Sequence, residues 1–227
     1  MDYQTWLPVY DRILDDFGYD RVGDERARDR LATLVTAFDE SRLDWIDGAT
    51  VAVAGAGPEL ESEAGVAADA DAVIAASAAA DRLRAVGVSV DLMVTDLDKT
   101  PATAVQLTRE GTPVAVAAHG DNRPALEQYV PRMDPEWVLA TTQAAPRGPV
   151  VNFGGFTDGD RAAFLADEAG AAALSFPGWA LDDPTVDAMK RRKLRWAERL
   201  LYWLERRRGE RFDLLEGRRE ALTLDWL

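Results

Sequence analysis

The residues of this chain with the type and spacing to do chemistry fall into a few short stretches. "TDLDKT" places Asp96 and Asp98 two residues apart at the end of an apolar run, with Lys99 directly after. If extended backbone persists to the end of the run, both carboxylates point to the same side. Two acids so placed can hold a hard divalent cation, and Mg²⁺ takes one or two carboxylates together with waters and phosphate oxygens. "AHGDN" carries the single histidine, His119, followed by Asp121 and Asn122. Asp121 is placed to join the metal group, and Asn122 to bond a ribose, a phosphate or a heterocycle. "NFGGFTDGDRAAF" then brings Gly155, Phe156, Thr157, Asp158, Asp160 and Arg161 to a strand-to-helix turn. A helix cap needs only Thr157 or Asp158. It leaves the second acid, the glycine pair and Arg161 unexplained, and an arginine in a first turn opposes the helix dipole. An anion held between Arg161 and the helix N-terminus would offset that penalty.

Two weaker signals accompany these. "GAGPEL" follows an apolar run and opens a polar stretch, so Gly55 and Gly57 could let backbone approach a phosphate. Leu60 replaces the third glycine of a dinucleotide turn and Glu59 adds a negative charge, which disfavours NAD. In "MKRRKLRWAERLL", Lys193 falls on the apolar stripe of a helix, three residues after Lys190.

Composition removes other chemistries. With no cysteine and one histidine, thiolate sites, disulfides and zinc centres built on several imidazoles are excluded. Forty acids against 26 bases give a net charge of −14, which argues against a nucleic-acid partner. Of those 26 bases only three are lysines, so their locations matter. Scattered acids and abundant arginine suggest a protein of a very salty cytoplasm, where charge repulsion is screened. The first residues, "MDYQTWLPVYDRILDDFG", lack the basic start of a signal peptide, and no apolar run approaches the ~20 residues of a membrane span. The expectation is a soluble cytoplasmic protein without membrane contact; a homodimer stays open.

The elements that must position these residues alternate. Two amphipathic helices are expected over 3–18 and 24–46, the second with Leu31, Leu34, Val35 and Phe38 on one stripe. Strands are expected at 50–57, 71–77, 91–98, 113–122 and 150–160, with further ones at 137–142 and 171–176. A helix follows over 185–207, its stripe running from Val186 and Met189 to Leu204. Continuous apolar strands alternating with helices indicate an α/β fold: a Rossmann-like, mainly parallel sheet with helices on both faces. The N-terminal helical pair (1–48), the α/β core (49–182) and the C-terminal helix (183–227) are expected to form one compact unit. Nearly every candidate strand ends in small or acidic residues, Ser77 among them, and in a parallel sheet those ends share one edge, where ligands bind.

Taken in order, "GAGPEL", "DLMVTDLDKT", "AHGDN", "NFGGFTDGDRAAFLA" and "KRRKL" resemble the archaeal 6-hydroxymethyl-7,8-dihydropterin pyrophosphokinase family, which is similar in fold to the catalytic domain of thiamin pyrophosphokinases. The resemblance implies transfer of the β,γ-diphosphate of ATP to the pterin hydroxymethyl oxygen, with Mg²⁺, releasing AMP on the route to a tetrahydromethanopterin- or folate-type cofactor. It implies that Asp96, Asp98 and Asp121 form the catalytic metal group. Gly55, Gly57, Ser77, Lys99, Arg161 and Lys193 would serve ATP and its phosphates. His119, Asn122, Gly155, Phe156, Thr157, Asp158 and Asp160 would serve the substrate, with Phe153, Phe156 or Trp179 as the aromatic face and Asp158 reading the amino-pyrimidine edge. The chain departs from the family pattern at Lys99, where glycine is usual, and at Ala117, where a second histidine is usual. Alternatives are a diphosphokinase for thiamin or another hydroxymethyl heterocycle, a non-catalytic nucleotide-binding module, and a dinucleotide-dependent reductase.

Overall fold

The computed structural model describes residues 1–226. Two helices, α1 (Tyr3–Phe17) and α2 (Arg21–Ala32), precede a Rossmann-like core. The core runs β1 (Thr50–Ala54), α3 (Ala64–Ala68), β2 (Ala72–Ala76), α4 (Ala79–Ala85), β3 (Leu92–Thr95), α5 (Pro101–Arg109), β4 (Val114–Ala118), α6 (Arg123–Tyr129), β5 (Val138–Thr142), α7 (Asp158–Glu168) and β6 (Ala173–Ser175). The chain continues into α8 (Ala188–Arg208). All six strands pair in parallel, in the order β5-β4-β3-β2-β1-β6. Among the described residues no helix is long and apolar enough to cross a membrane.

Side-chain alternation along the strands builds two apolar layers. Val51, Val53, Ile74, Leu92 and Val94 face α1, α7 and α8. Ala52, Ala54, Val73, Ala75, Met93 and Val116 face α2 and the crossover helices α3 to α6. The period of two, on strands buried on both faces, produces the continuous Val/Ala/Ile runs of the sequence.

The N-terminal helices are therefore divided between the faces rather than packed as a pair. Asp2 caps α1 by accepting from Gln4 N and Thr5 N, and Gly18 closes it in the left-handed region. Its buried stripe, Trp6, Val9, Tyr10, Ile13 and Leu14, joins the α7/α8 layer. Ala27 and Leu31 of α2 join the opposite layer. The helix expected to 46 stops at Ala32 and resumes as a 3₁₀ segment, Glu40–Ile46. The apolar residues between do become partly buried, but Leu34 and Val35 cover one layer and Phe38 the other. A continuous helix presents one stripe to one layer, so this chain leaves the helix to cross from face to face.

The strand expected at 150–160 is likewise absent. Only Val150 and Val151 form isolated bridges, with Arg147 and Thr141. Gly154 (φ 93°) and Gly155 (φ 87°) take left-handed backbone that ends extended pairing. Asn152 holds the loop by donating to the carbonyls of Gln143 and Ala144 at 3.0 and 2.8 Å. In α8, Ala197, Leu200, Leu201 and Leu204 are buried as expected and Trp196 is buried with them, whereas Val186 precedes the helix and Met189 is 47% exposed.

Trp6 joins the α1/α7/α8 layer most tightly. It is fully buried, stacks on Trp203, meets Phe164 edge-on, and donates from Nε1 to the Gln143 carbonyl at 2.8 Å. Trp6→Ala should cost about 3–5 kcal/mol. For a chain of this size that lowers Tm by roughly 10 °C. Val86→Ala, at an exposed position, should leave Tm nearly unchanged in the same thermal melt.

Candidate active site

The C-terminal ends of the strands open into a cleft of about 790 Å³, within the range of small-molecule sites. Its walls come from every part of the chain: the link between α1 and α2, the turns after β1 to β5, the N-terminal turn of α7, the loop at Gly178 to Ala180, and the start of α8.

The centre lies after β3. The strand ends at Thr95, and Leu97 adopts φ 69°, a left-handed conformation rare for leucine. Buried Leu97 anchors this turn in the α2–α6 layer, while Asp98 N donates to Asp96 Oδ1 at 3.0 Å. The two carboxylates thus reach the cleft through a tight turn and not through the strand pleat. Asp158, from the first residue of α7, completes the group: Asp96, Asp98 and Asp158 each offer an oxygen within 4.8 Å of the others. Three hard oxygen donors at this separation fit a divalent cation of the Mg²⁺ or Ca²⁺ type. Asp158 had been expected to read the substrate; its carboxylate converges with the acidic pair instead. Asp121, expected in the metal group, is exposed on the cleft wall outside that cluster.

The charges of this centre act strongly on one another. Burial works to raise the Asp96 carboxyl, but hydrogen bonds from His119 and Asp98 outweigh it and hold Asp96 well below the usual carboxylate range. His119 Nε2 lies 3.2 Å from Asp96 Oδ2. Asp98 is raised by partial burial, then by its bond to Asp96 and that group's charge. Asp158, enclosed on its protein side, is raised well above the usual range by desolvation first and the charge of Asp96 second, with Arg161 opposing. Such a cluster is short of positive charge at its centre.

Positive charge lines the same cleft. Lys99, Lys190 and Lys193, the only lysines of the chain, all line this one cleft. Desolvation, then the nearby Lys99 charge, lowers the Lys190 ammonium. Lys193 Nζ lies 5.9 Å from the centroid of the Phe156 ring, which is itself part of the wall. Ser77, at φ 50° after β2, also lines the cleft, and its buried hydroxyl has no partner among the described residues.

Several expected ligand residues are committed to structure. The Gly55 and Gly57 N–H groups donate to the carbonyls of Pro177 and Gly178 at 2.9 and 2.7 Å. A Cβ at either glycine would come within 2.8 Å of the Gly178 carbonyl. These glycines admit a crossing loop, and their amides are not free for a phosphate. The stretch after them forms turns before α3, which has only five residues. Asn122 donates to the carbonyls of Asp96 and Ala117 at 2.9 and 2.7 Å and accepts from His119 N, so it braces the turns after β3 and β4. Asp160 is fully buried; it accepts from the N–H groups of Phe156 and Thr157 and from the Thr157 hydroxyl. Thr157 lines the cleft with its hydroxyl so engaged, and Gly155 packs behind it, its α-carbon side closed by Arg161. Arg161 lines the cleft but donates to the carbonyl of Phe156 and, at 2.6 Å, to Gln143 Oε1. Of the three aromatic candidates, Phe156 and Trp179 reach the cleft and Phe153 does not. Trp179 donates to the Val53 carbonyl at 2.9 Å, and its ring covers Gly159, where a Cβ would clash at 2.6 Å.

Sequence reasoning missed Asp24 and Gln143. Asp24, from α2, accepts from the Tyr10 hydroxyl, Gln143 Nε2 and Gly120 N at 2.7, 2.6 and 2.7 Å. Nothing in "RVGDERARDR" separates Asp24 from an ordinary helical acid; only its meeting with the β4 and β5 ends does.

Acids grouped as for a cation, amines in the same cleft and a Rossmann-like sheet beneath define a class: an enzyme that moves phosphoryl groups. Comparison with known proteins gives the family. Residues 28–184 match the model of the MptE-like 6-hydroxymethylpterin diphosphokinases. A 6-hydroxymethyl-7,8-dihydropterin pyrophosphokinase of Methanothermobacter thermautotrophicus is 39% identical over 232 residues, covering 94% of this chain and 99% of that protein. Proteins of the same description from Pyrococcus furiosus and Methanocaldococcus jannaschii are 36% and 29% identical, each over 90% of this chain. The chain belongs to the MptE-like 6-hydroxymethylpterin diphosphokinase family, a family of diphosphotransferases.

The turn before α7 can be tested by sterics. A Cβ at Gly155 would lie 2.6 Å from Arg161 Cα, at a φ that side chains rarely adopt. Gly155→Ala should therefore cost at least about 1–3 kcal/mol and displace Asp158. Denaturant unfolding would show a lower midpoint, and calorimetry a weaker response to divalent cation.

Proposed function

We propose that the protein transfers the β,γ-diphosphate of ATP to the hydroxymethyl oxygen of 6-hydroxymethyl-7,8-dihydropterin, yielding the pterin diphosphate and AMP, in the biosynthesis of a tetrahydromethanopterin- or folate-type cofactor. The observation that carries this reading is the convergence of Asp96, Asp98 and Asp158 in one cleft with the chain's three lysines. The names of the pterin pyrophosphokinases it resembles support the acceptor.

Asp96, Asp98 and Asp158 would hold Mg²⁺, which when bound supplies Lewis-acid charge at the phosphate oxygens. Diphosphoryl transfer depends mainly on positioning and charge neutralisation, and the remaining work falls to the protein's own groups. Lys99, Lys190 and Lys193 would meet the phosphate chain in the same cleft; a polyanion there would offset the desolvation and the Lys99 charge that lower Lys190. His119 holds Asp96 ionised and oriented. The Ser77 hydroxyl, without a partner among the described residues, is available to a phosphate or ribose oxygen. Phe156 offers a face for the acceptor ring. In the transfer the hydroxymethyl oxygen bonds to Pβ as the bond from Pβ to the α-phosphate oxygen breaks. The hydroxyl proton is lost and AMP departs.

Incubation with Mg·ATP and the pterin should release AMP; ADP as product, or none, would overturn the reading. Asp96→Asn and Asp98→Asn should each lower turnover by about 10²–10⁴-fold, on the scale of losing a principal electrostatic contact, with an unchanged circular dichroism spectrum. Full activity in both would remove the metal assignment.

A further inference from the structure

We infer that the pyrimidine ring of the acceptor is read at the β4–β5 end of the cleft by a buried edge formed from Asp24, Gln143 and Arg161. The inference rests on the pterin reading above and adds where, and by which groups, the ring is recognised. All three side chains line the cleft although each is more than nine-tenths buried, at 4, 3 and 5% exposure. Burying a carboxylate and a guanidinium at a cleft wall is costly unless each is held by partners, and here Gln143 links them. Its amide nitrogen donates to Asp24 Oδ2 at 2.6 Å, and its amide oxygen accepts from Arg161 Nη2 at 2.6 Å.

The edge has a polarity. Asp24 presents an acceptor at one end and Arg161 donors at the other. A carboxylate has about four lone-pair sites and a guanidinium five N–H donors. Three bonds to Asp24 come from Tyr10, Gln143 and Gly120, which leaves one site on Oδ1. A 2-amino-4-oxopyrimidine carries the complementary order along one edge, with donors at the 2-amino group and ring nitrogen and an acceptor at the 4-oxo group. Purine-type 6-amino rings do not.

The position suits an acceptor. Attacking and leaving oxygens lie roughly in line across the transferred phosphorus, so acceptor and AMP sit on opposite sides of the acidic centre after β3. The order β5-β4-β3-β2-β1 puts Asp24 and Gln143 on one side of that centre and Ser77 and Trp179 on the other. The β5 end is two strand spacings from β3, about 10 Å, which leaves room for a bicyclic ring between the edge and the acids. Asp24 lies outside residues 28–184 matched by the family model.

The test compares two acceptors, 6-hydroxymethyl-7,8-dihydropterin and its 2-oxo counterpart, in which an oxygen replaces the 2-amino group. Direct binding to the wild-type protein is followed by ligand fluorescence, and Mg·ATP binding by calorimetry. The wild type should bind the 2-oxo compound at least tenfold more weakly. In Asp24→Asn, KM for the pterin should rise about tenfold or more, the preference between the two rings should fall toward one, and Mg·ATP affinity should hold. Equal losses for both acceptors, or a loss confined to Mg·ATP, would overturn the inference and mark Asp24 as a structural brace. Equal binding of both rings by the wild type would overturn it even if the variant failed to fold. A wild type that binds neither ring and makes no AMP would instead bring down the pterin reading itself, and this inference with it.

Discussion

Three carboxylates brought within reach of a single point are the constraint around which the molecule is arranged. At separations near 4.8 Å, each pair of full charges would repel by about 3–4 kcal/mol at an effective dielectric of 20. The protein tolerates this by several devices acting together. His119 and the Asp98 backbone N–H stabilise Asp96; Asp98 and Asp158 are pushed toward protonation; and three lysines with Arg161 surround the group. The repulsion marks the site as one that gains from a cation and an anion arriving together, which is the requirement of metal-assisted diphosphoryl transfer.

The peripheral helices make that centre possible. The α1–α2 link lines the cleft, while Trp6 from α1 bonds the Gln143 carbonyl and Asp24 from α2 bonds the Gln143 amide. Gln143 thus connects both apolar layers to Arg161, and through it to the α7 turn that presents Asp158. At the other end, α8 packs Trp196, Leu200 and Leu204 in the core and offers Lys190 and Lys193 to the cleft with its first turns. An acidic surface with no lysine elsewhere leaves these ammonium groups concentrated at the site.

Several features were legible in the sequence for sound reasons. Strand runs at β1 to β4 are continuous because both faces are covered, and they are followed by the residues that line the cleft. Asp96 and Asp98 were legible as a pair because a two-residue spacing brings them together in a strand or in the Leu97 turn alike. The run at 150–160 misled because its valines are apolar for burial in the loop after β5, while the left-handed glycines that prevent a strand resemble a ligand turn. Gly55 and Gly57 misled similarly: a close approach of the Gly178 loop and a close approach of a phosphate demand the same residue.

Periodicity, glycine placement and charge by themselves determined the parallel α/β class, the edge on which the site lies and most of the residue types gathered there. They could do so because backbone sterics and burial act over a few residues. Which acid joins the Asp96–Asp98 pair, which residues brace the turns, and that Asp24 and Gln143 belong to the cleft were decided by the tertiary structure alone. Those facts depend on meetings such as Asp24 with Gln143, 119 residues apart in the chain, and the sheet order that brings them together is set by packing between elements, which no local pattern records.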